Sequence, residues 1–130
     1  MKKVFLGGTC NGSLWRDKII PVLKIHYYNP VGEDWTPEMM KEELKQREEC
    51  DFCLYAITPK MEGFYSVAEV VDDSNKRPQK TIFCFLNEDE GDKFSGVQLR
   101  SLQQVAEMIK RNGAKYFKTL KDVTDFLNHQ

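Results

Sequence analysis

The sequence predicts an α/β fold built on a five-stranded parallel sheet in the order 2-1-3-4-5, with helices on both faces. Three observations carry this. Short apolar segments alternate with longer amphipathic ones, which is the pattern of strands joined by right-handed helical crossovers. The runs Val4–Leu6, Phe52–Ile57 and Ile82–Leu86 are the most apolar, as strands covered on both faces must be, so they take the middle of the sheet. The candidate strands around Ile25 and Tyr116 are shorter and more polar, which suits the edges.

Each element follows from local signals. Lys2 to Leu6 forms the first strand, and Gly7 to Gly12 the turn after it. Ser13 is a candidate N-cap for a helix reaching about Lys24, with Ile19, Ile20 and Leu23 on one face and Pro21 as an interruption or kink. Ile25 to Tyr28 is the second strand, ended by Asn29-Pro30. Thr36-Pro37-Glu38 opens a helix with an N-cap, a proline at the first helical position and an acid near the positive end of the dipole. That helix runs to about Glu49, and the third strand lies within Asp51 to Thr58. After a loop from Pro59 to Gly63, a helix extends to about Asn75 and a fourth strand spans Thr81 to Leu86. An acidic loop is expected from Asn87 to Ser95, then a helix from about Gly96 to Arg111, stopped by Asn112-Gly113. A short edge strand at Lys115–Phe117 and a helix over about Leu120–Asn128 complete the chain.

The 130 residues are of the commonest size for one domain, and residues 1–130 are read as one. The formal net charge of −1 gives no electrostatic reason to expect a nucleic acid polymer as partner. No apolar stretch approaches the ~20 residues that span a membrane, and Gly7-Gly8 cuts short the only apolar run near the N-terminus. A cytoplasmic protein is the expectation. Cys50 and Cys53 form one CxxC without a second pair or a His cluster, so free thiols are expected and no metal site. Cys10 lies in the glycine-rich turn.

In an open parallel sheet, ligands bind beyond the carboxyl ends of the strands, at the switch in strand order. Here the loops Gly7–Gly12 and Pro59–Gly63 meet at that switch. The first offers glycines, a following helix N-terminus and Arg16 one turn on. Either it is a tight turn with Arg16 solvated, or it holds an anion. The second leads into Ser66-x-x-Glu69, the pattern of a capping box, in which Glu69 bonds back to the helix start. Helical spacing puts Glu69 off the apolar face of Val67, Val70 and Val71, so it faces solvent or a site. Glu42, Glu43, Glu48 and Glu49 alternate with Lys41, Lys45 and Arg47, as a solvated face does. His26 and His129 have no nucleophile partner in view. Trp15, Trp35, Tyr27, Tyr28 and Tyr65 lie in or beside these loops, where aromatics stack on a nucleobase or pack against the sheet ends.

Four segments, in this order and spacing, resemble the nucleoside 2-deoxyribosyltransferase-like proteins: VFLGGTCNGSLWR from Val4, YYNPVGEDW from Tyr27, EELKQREECDFCLYAITP from Glu42 and GFYSVAEVVDDSNKRPQKTIFC from Gly63. The resemblance spans about residues 2–86. It implies a flavodoxin-like fold and an enzyme in which a glutamate entering the third helix attacks C1′ of the sugar. Glu69 matches that glutamate. An acidic residue about eight positions before Asp51 also belongs to the family's site, and Glu43 stands there, where the family commonly has aspartate. The glycine-rich loop matches the family's substrate loop, which implies that Gly8, Thr9 and Arg16 lie near the sugar or its phosphate. Gly63 and Ser66 are candidate binding residues in the second loop. The implied ligand is a small nucleoside or nucleotide, without a cofactor, and the family implies a homo-oligomer.

Three readings follow. The first is cleavage of an N-glycosidic bond through a glycosyl ester on Glu69, with transfer to another base. The second is a nucleoside 5′-monophosphate N-glycosidase, which a phosphate site of Ser13, Arg16 and Ser66 favours. The third is a nucleotide-binding sensor in which Glu69 only caps its helix.

Overall fold

A computed structural model describes residues 1–32 and 36–130. Trp35, one of the aromatics noted above, lies outside the described residues. The chain alternates β1 (Lys3–Gly8), α1 (Trp15–Ile19), β2 (His26–Tyr28), α2 (Pro37–Glu49), β3 (Phe52–Ile57), α3 (Tyr65–Lys76) and β4 (Thr81–Phe85). It continues with β5 (Glu88–Asp89), β6 (Asp92–Lys93), α4 (Gly96–Arg111), β7 (Lys115–Tyr116) and α5 (Leu120–Asn128). The five-stranded sheet runs β2-β1-β3-β4-β7, all parallel. This is the expected 2-1-3-4-5 order and a flavodoxin-like architecture.

The sheet divides the core in two, because alternate residues of each strand point to opposite faces. Phe5, Cys53, Tyr55, Ile57, Phe83 and Phe85 meet Val70 of α3 and Leu102, Ala106 and Ile109 of α4 on one side. Val4, Leu6, Leu54, Ala56, Ile82 and Cys84 meet Trp15 and Ile19 of α1 and Val123 and Leu127 of α5 on the other. Every residue of β3 and β4 is buried, and each fully buried large apolar side chain contributes roughly 1.5–3 kcal/mol.

Several local signals act as read. Thr36 accepts from the Met39 amide at 3.2 Å and caps α2. Gly113, at φ 95°, closes α4 in the left-handed region that glycine enters without cost.

Three expectations need correction. Ser13 does not occupy the N-cap position: α1 begins at Trp15 with Leu14 before it, although the Ser13 Oγ accepts from the Trp15 amide at a long 3.4 Å. The helix stops at Ile19, passing into a 3₁₀ turn at Ile20–Val22, where Pro21 removes an amide donor. The Asn87–Ser95 stretch is not merely a loop. It holds the antiparallel β5–β6 pair, which Phe94 anchors in the core at 9% exposure. Ser66-x-x-Glu69 does not form a capping box, since α3 starts at Tyr65 after Phe64 and no side chain caps it. Ser66 is therefore already inside the helix. The chain's capping box is Ser95 with Gln98, at the start of α4.

Candidate active site

The ends of β1 and β3 approach very closely. A Cβ on Gly8, where φ is 117°, would stand 2.1 Å from the Ala56 carbonyl oxygen. The glycine serves contact between neighbouring strands. Thr9 then ties the two loops together: its amide donates to the Ala56 carbonyl at 2.9 Å, and its Oγ1 accepts from the Thr58 amide at 2.9 Å.

Arg16 is neither solvated nor turned to an anion. It is 4% exposed. Its guanidinium donates to the carbonyls of Leu6 at 3.0 Å, Thr9 at 2.6 Å and Gly8 at 3.4 Å, and lies 4.4 Å from the Trp15 ring centroid. Trp15 adds a bond from its indole Nε1 to the Thr9 carbonyl at 2.8 Å. Both side chains shape the loop from behind, so Trp15 is a core residue and not a stacking platform. Ser13 also turns away, donating to Asp89 of β5 at 2.6 Å.

A cleft of about 190 Å³ remains where the loops meet. Gly8, Thr9, Cys10 and Asn11 form one wall, Met61, Glu62 and Gly63 another, and Tyr65 and Ser66 of α3 a third. Of the expected binding residues, the structure brings Gly8, Thr9, Gly63 and Ser66 together here. Among the described residues, Tyr65 is the one of the noted aromatics that lines this cleft. Tyr28 packs on Phe5 with centroids 5.8 Å apart. A larger groove of about 860 Å³ lies between α3 and α4 and is mostly apolar.

Glu69 lies one helical turn beyond Tyr65 and Ser66, and its side chain keeps 12% exposure. It faces α2, where Arg47 Nη1 stands 3.5 Å from Oε2. Burial pushes its carboxyl up to about 7; Arg47 opposes this, while Glu43 and Asp73 add to it. Glu43, half-buried on α2, is also raised by burial, against the pull of Arg47 and Arg16. Arg47 thus acts on both glutamates, and Glu43 acts on Glu69. Two carboxyls with raised affinity for a proton beside one cation can supply a nucleophile and an acid.

Sequence patterns alone did not single out the groups behind this pair. Arg47, read with the solvated face, is 5% exposed. It bonds Asp73 through Nε at 3.3 Å and Nη2 at 2.8 Å. Asp73 is fully buried and also accepts from Tyr55 Oη and from Arg77 Nη1. One signal pointed here: Asp73 stands three residues after Val70, on the helix's apolar face, where a lone carboxylate needs partners.

An open-sheet α/β protein with a buried carboxylate beside the switch in strand order is the class that this fold and site define. The family model for nucleoside 2-deoxyribosyltransferase-like proteins matches residues 1–88, a stretch that holds both glutamates and the cleft. The chain belongs to that family. The comparison with curated proteins finds no match. No helix of the described residues is long and apolar enough to cross a membrane.

Proposed function

We propose that the protein cleaves the N-glycosidic bond of a nucleoside, with Glu69 attacking C1′. One observation carries the reading: Glu69, which the resemblance matches to the family's nucleophile, does not bond to its own helix start but faces Arg47 at 3.5 Å with its side chain 12% exposed. Attack by an ionised Glu69 oxygen forms a bond to C1′, and the base departs with the electron pair of the broken C1′–N bond. Positive charge builds on the sugar in between, as in retaining glycosidases, and a close carboxylate lowers that barrier. Glu43, its carboxyl raised by burial, is the group proposed to protonate the departing base. A second base then attacks C1′ and takes the sugar, or water attacks and the sugar is released; in either case the bond from C1′ to Glu69 breaks, its electron pair returns to the carboxylate, and the attacking group's proton passes back to Glu43. The steps require a carboxylate and a proton, and no cofactor enters them.

The lining of the cleft favours a nucleoside over a nucleotide. Of the three groups expected to hold a phosphate, Ser13 is bonded to Asp89 and Arg16 to carbonyls. The described residues lining the cleft include Glu62 and no lysine or arginine, and an acid at the mouth disfavours a phosphate. The same reading takes the chain as one domain, acting as a homo-oligomer in the cytoplasm.

The test is incubation with deoxynucleosides and their 5′-monophosphates, with and without an acceptor base, followed by chromatography of the bases. Exchange only with acceptor identifies a transferase, and free base without acceptor a hydrolase. Glu69→Ala should abolish either. Turnover retained in that variant would end the assignment.

A further inference from the structure

The charged groups behind Glu69 form an ordered chain across three elements. Asp73, with no exposed surface, is held by Tyr55 of β3, by Arg77 just past α3 and by Arg47 of α2. Two of Arg47's nitrogens are committed to Asp73, and Nη2 also reaches Asp72 at 3.3 Å. Its remaining nitrogen, Nη1, points at Glu69. A guanidinium is a planar fork, so fixing two corners fixes the third. We propose that Arg47, clamped from behind by Asp73, is a positioning residue that aims the Glu69 carboxylate at the substrate and keeps it charged until it reacts. The proposal rests on the reading of Glu69 as nucleophile.

Two features favour this over a purely structural pair. At 3.5 Å the contact with Glu69 is looser than the 2.8 Å bond to Asp73. Glu69 can therefore lose its charge on forming an ester while Arg47 keeps a full partner. A buried ion pair is also weak evidence for stability, because an apolar pair often does as well. The other charged groups that act on Glu69 are negative: Glu43 from α2 and Asp73 from its own helix. Arg47 is the cation that offsets them.

The test follows the Glu69 carboxyl carbon directly, by carbon-13 NMR titration of glutamate-labelled protein, with the signal assigned by its loss in Glu69→Gln. In Arg47→Met the midpoint should rise by about one pH unit or more, as expected when an opposite charge within a few ångströms is removed. Arg47→Lys should restore most of the wild-type midpoint. If the methionine variant does not fold, Arg47→Gln, which keeps a hydrogen-bonding link to Asp73, should give the same rise. With an active enzyme, the acidic limb of the pH profile of kcat/KM should move by the same amount, and at neutral pH kcat should fall at least tenfold while KM changes less. An unchanged midpoint in the folded neutral variants overturns the proposal, even if the wild type is active. A midpoint that moves in a protein that turns over no nucleoside overturns the catalytic reading of Glu69 instead, leaving Arg47 as a charge partner only.

Discussion

Replacing Glu69 by glutamine should stabilise the protein in alkaline solution and leave it unchanged in acid. The ordinary value for the carboxyl is 4.5, and in the fold it lies at about 7. Below 4.5 both the folded and unfolded chains hold the proton, so the acid carries no penalty relative to its amide. As the pH rises from 4.5, the unfolded chain releases the proton while the fold retains it, and stability falls. Above about 7 the loss is complete. At about 1.4 kcal/mol per tenfold change in affinity, the full penalty is about 3 kcal/mol. Urea unfolding of both proteins at about pH 4 and about pH 8.5 reads it, and with a slope of ~1–3 kcal/mol/M the alkaline midpoints should separate by about 1 M or more. A constant effect of the amide on packing cancels between the two conditions. A gap that does not widen with pH would refute the claim that burial holds this carboxyl in an unfavourable charged state. If the proposed reaction is right, the stabilised variant is also the inactive one, the usual trade at a site built for chemistry.

Two further outcomes are expected. Gly8→Ala should cost about 3 kcal/mol or more, because the new Cβ meets the Ala56 carbonyl oxygen at 2.1 Å and the backbone sits at φ 117°; a urea midpoint within error of the wild type would contradict this. At pH 8 a disulfide reagent should label Cys10 alone, since it is the exposed thiol and the other three cysteines are buried. Burial pushes Cys53 and Cys84 up to about 12, so those thiols stay protonated and slow until denaturant is added.

Much of the architecture was legible because it rests on local rules. Continuous apolar runs marked β3 and β4 as central, and Thr36-Pro37 and Asn112-Gly113 marked a helix start and stop whose chemistry is carried by neighbouring residues. The misreadings share a cause, which is that a long-range partner won over the local pattern. Ser13 looks like a cap, but its hydroxyl donates at 2.6 Å to Asp89, far along the chain, and takes only a 3.4 Å bond from the Trp15 amide. Ser66 and Glu69 have the spacing of a capping box, yet the helix starts too early for it and Glu69 turns to Arg47. Arg47 sits in a run of alternating charges, and only the burial of Asp73 across the gap between α2 and α3 distinguishes it from its neighbours. The β5–β6 pair consists of two-residue strands too short and too charged to leave a periodic trace.

The two-sided packing of the sheet bears on how the chain can be dissected. The family-matched stretch ends at residue 88, but neither hydrophobic layer does. Leu102, Ala106 and Ile109 close one and Val123 and Leu127 the other, all at 7% exposure or less. The final third therefore completes two layers that the matched stretch covers only in part, with Val70 on one side and Trp15 and Ile19 on the other. The matched segment is not a transplantable cassette: expressed alone, it would strip α4 from one face of β4 and α5 from the other.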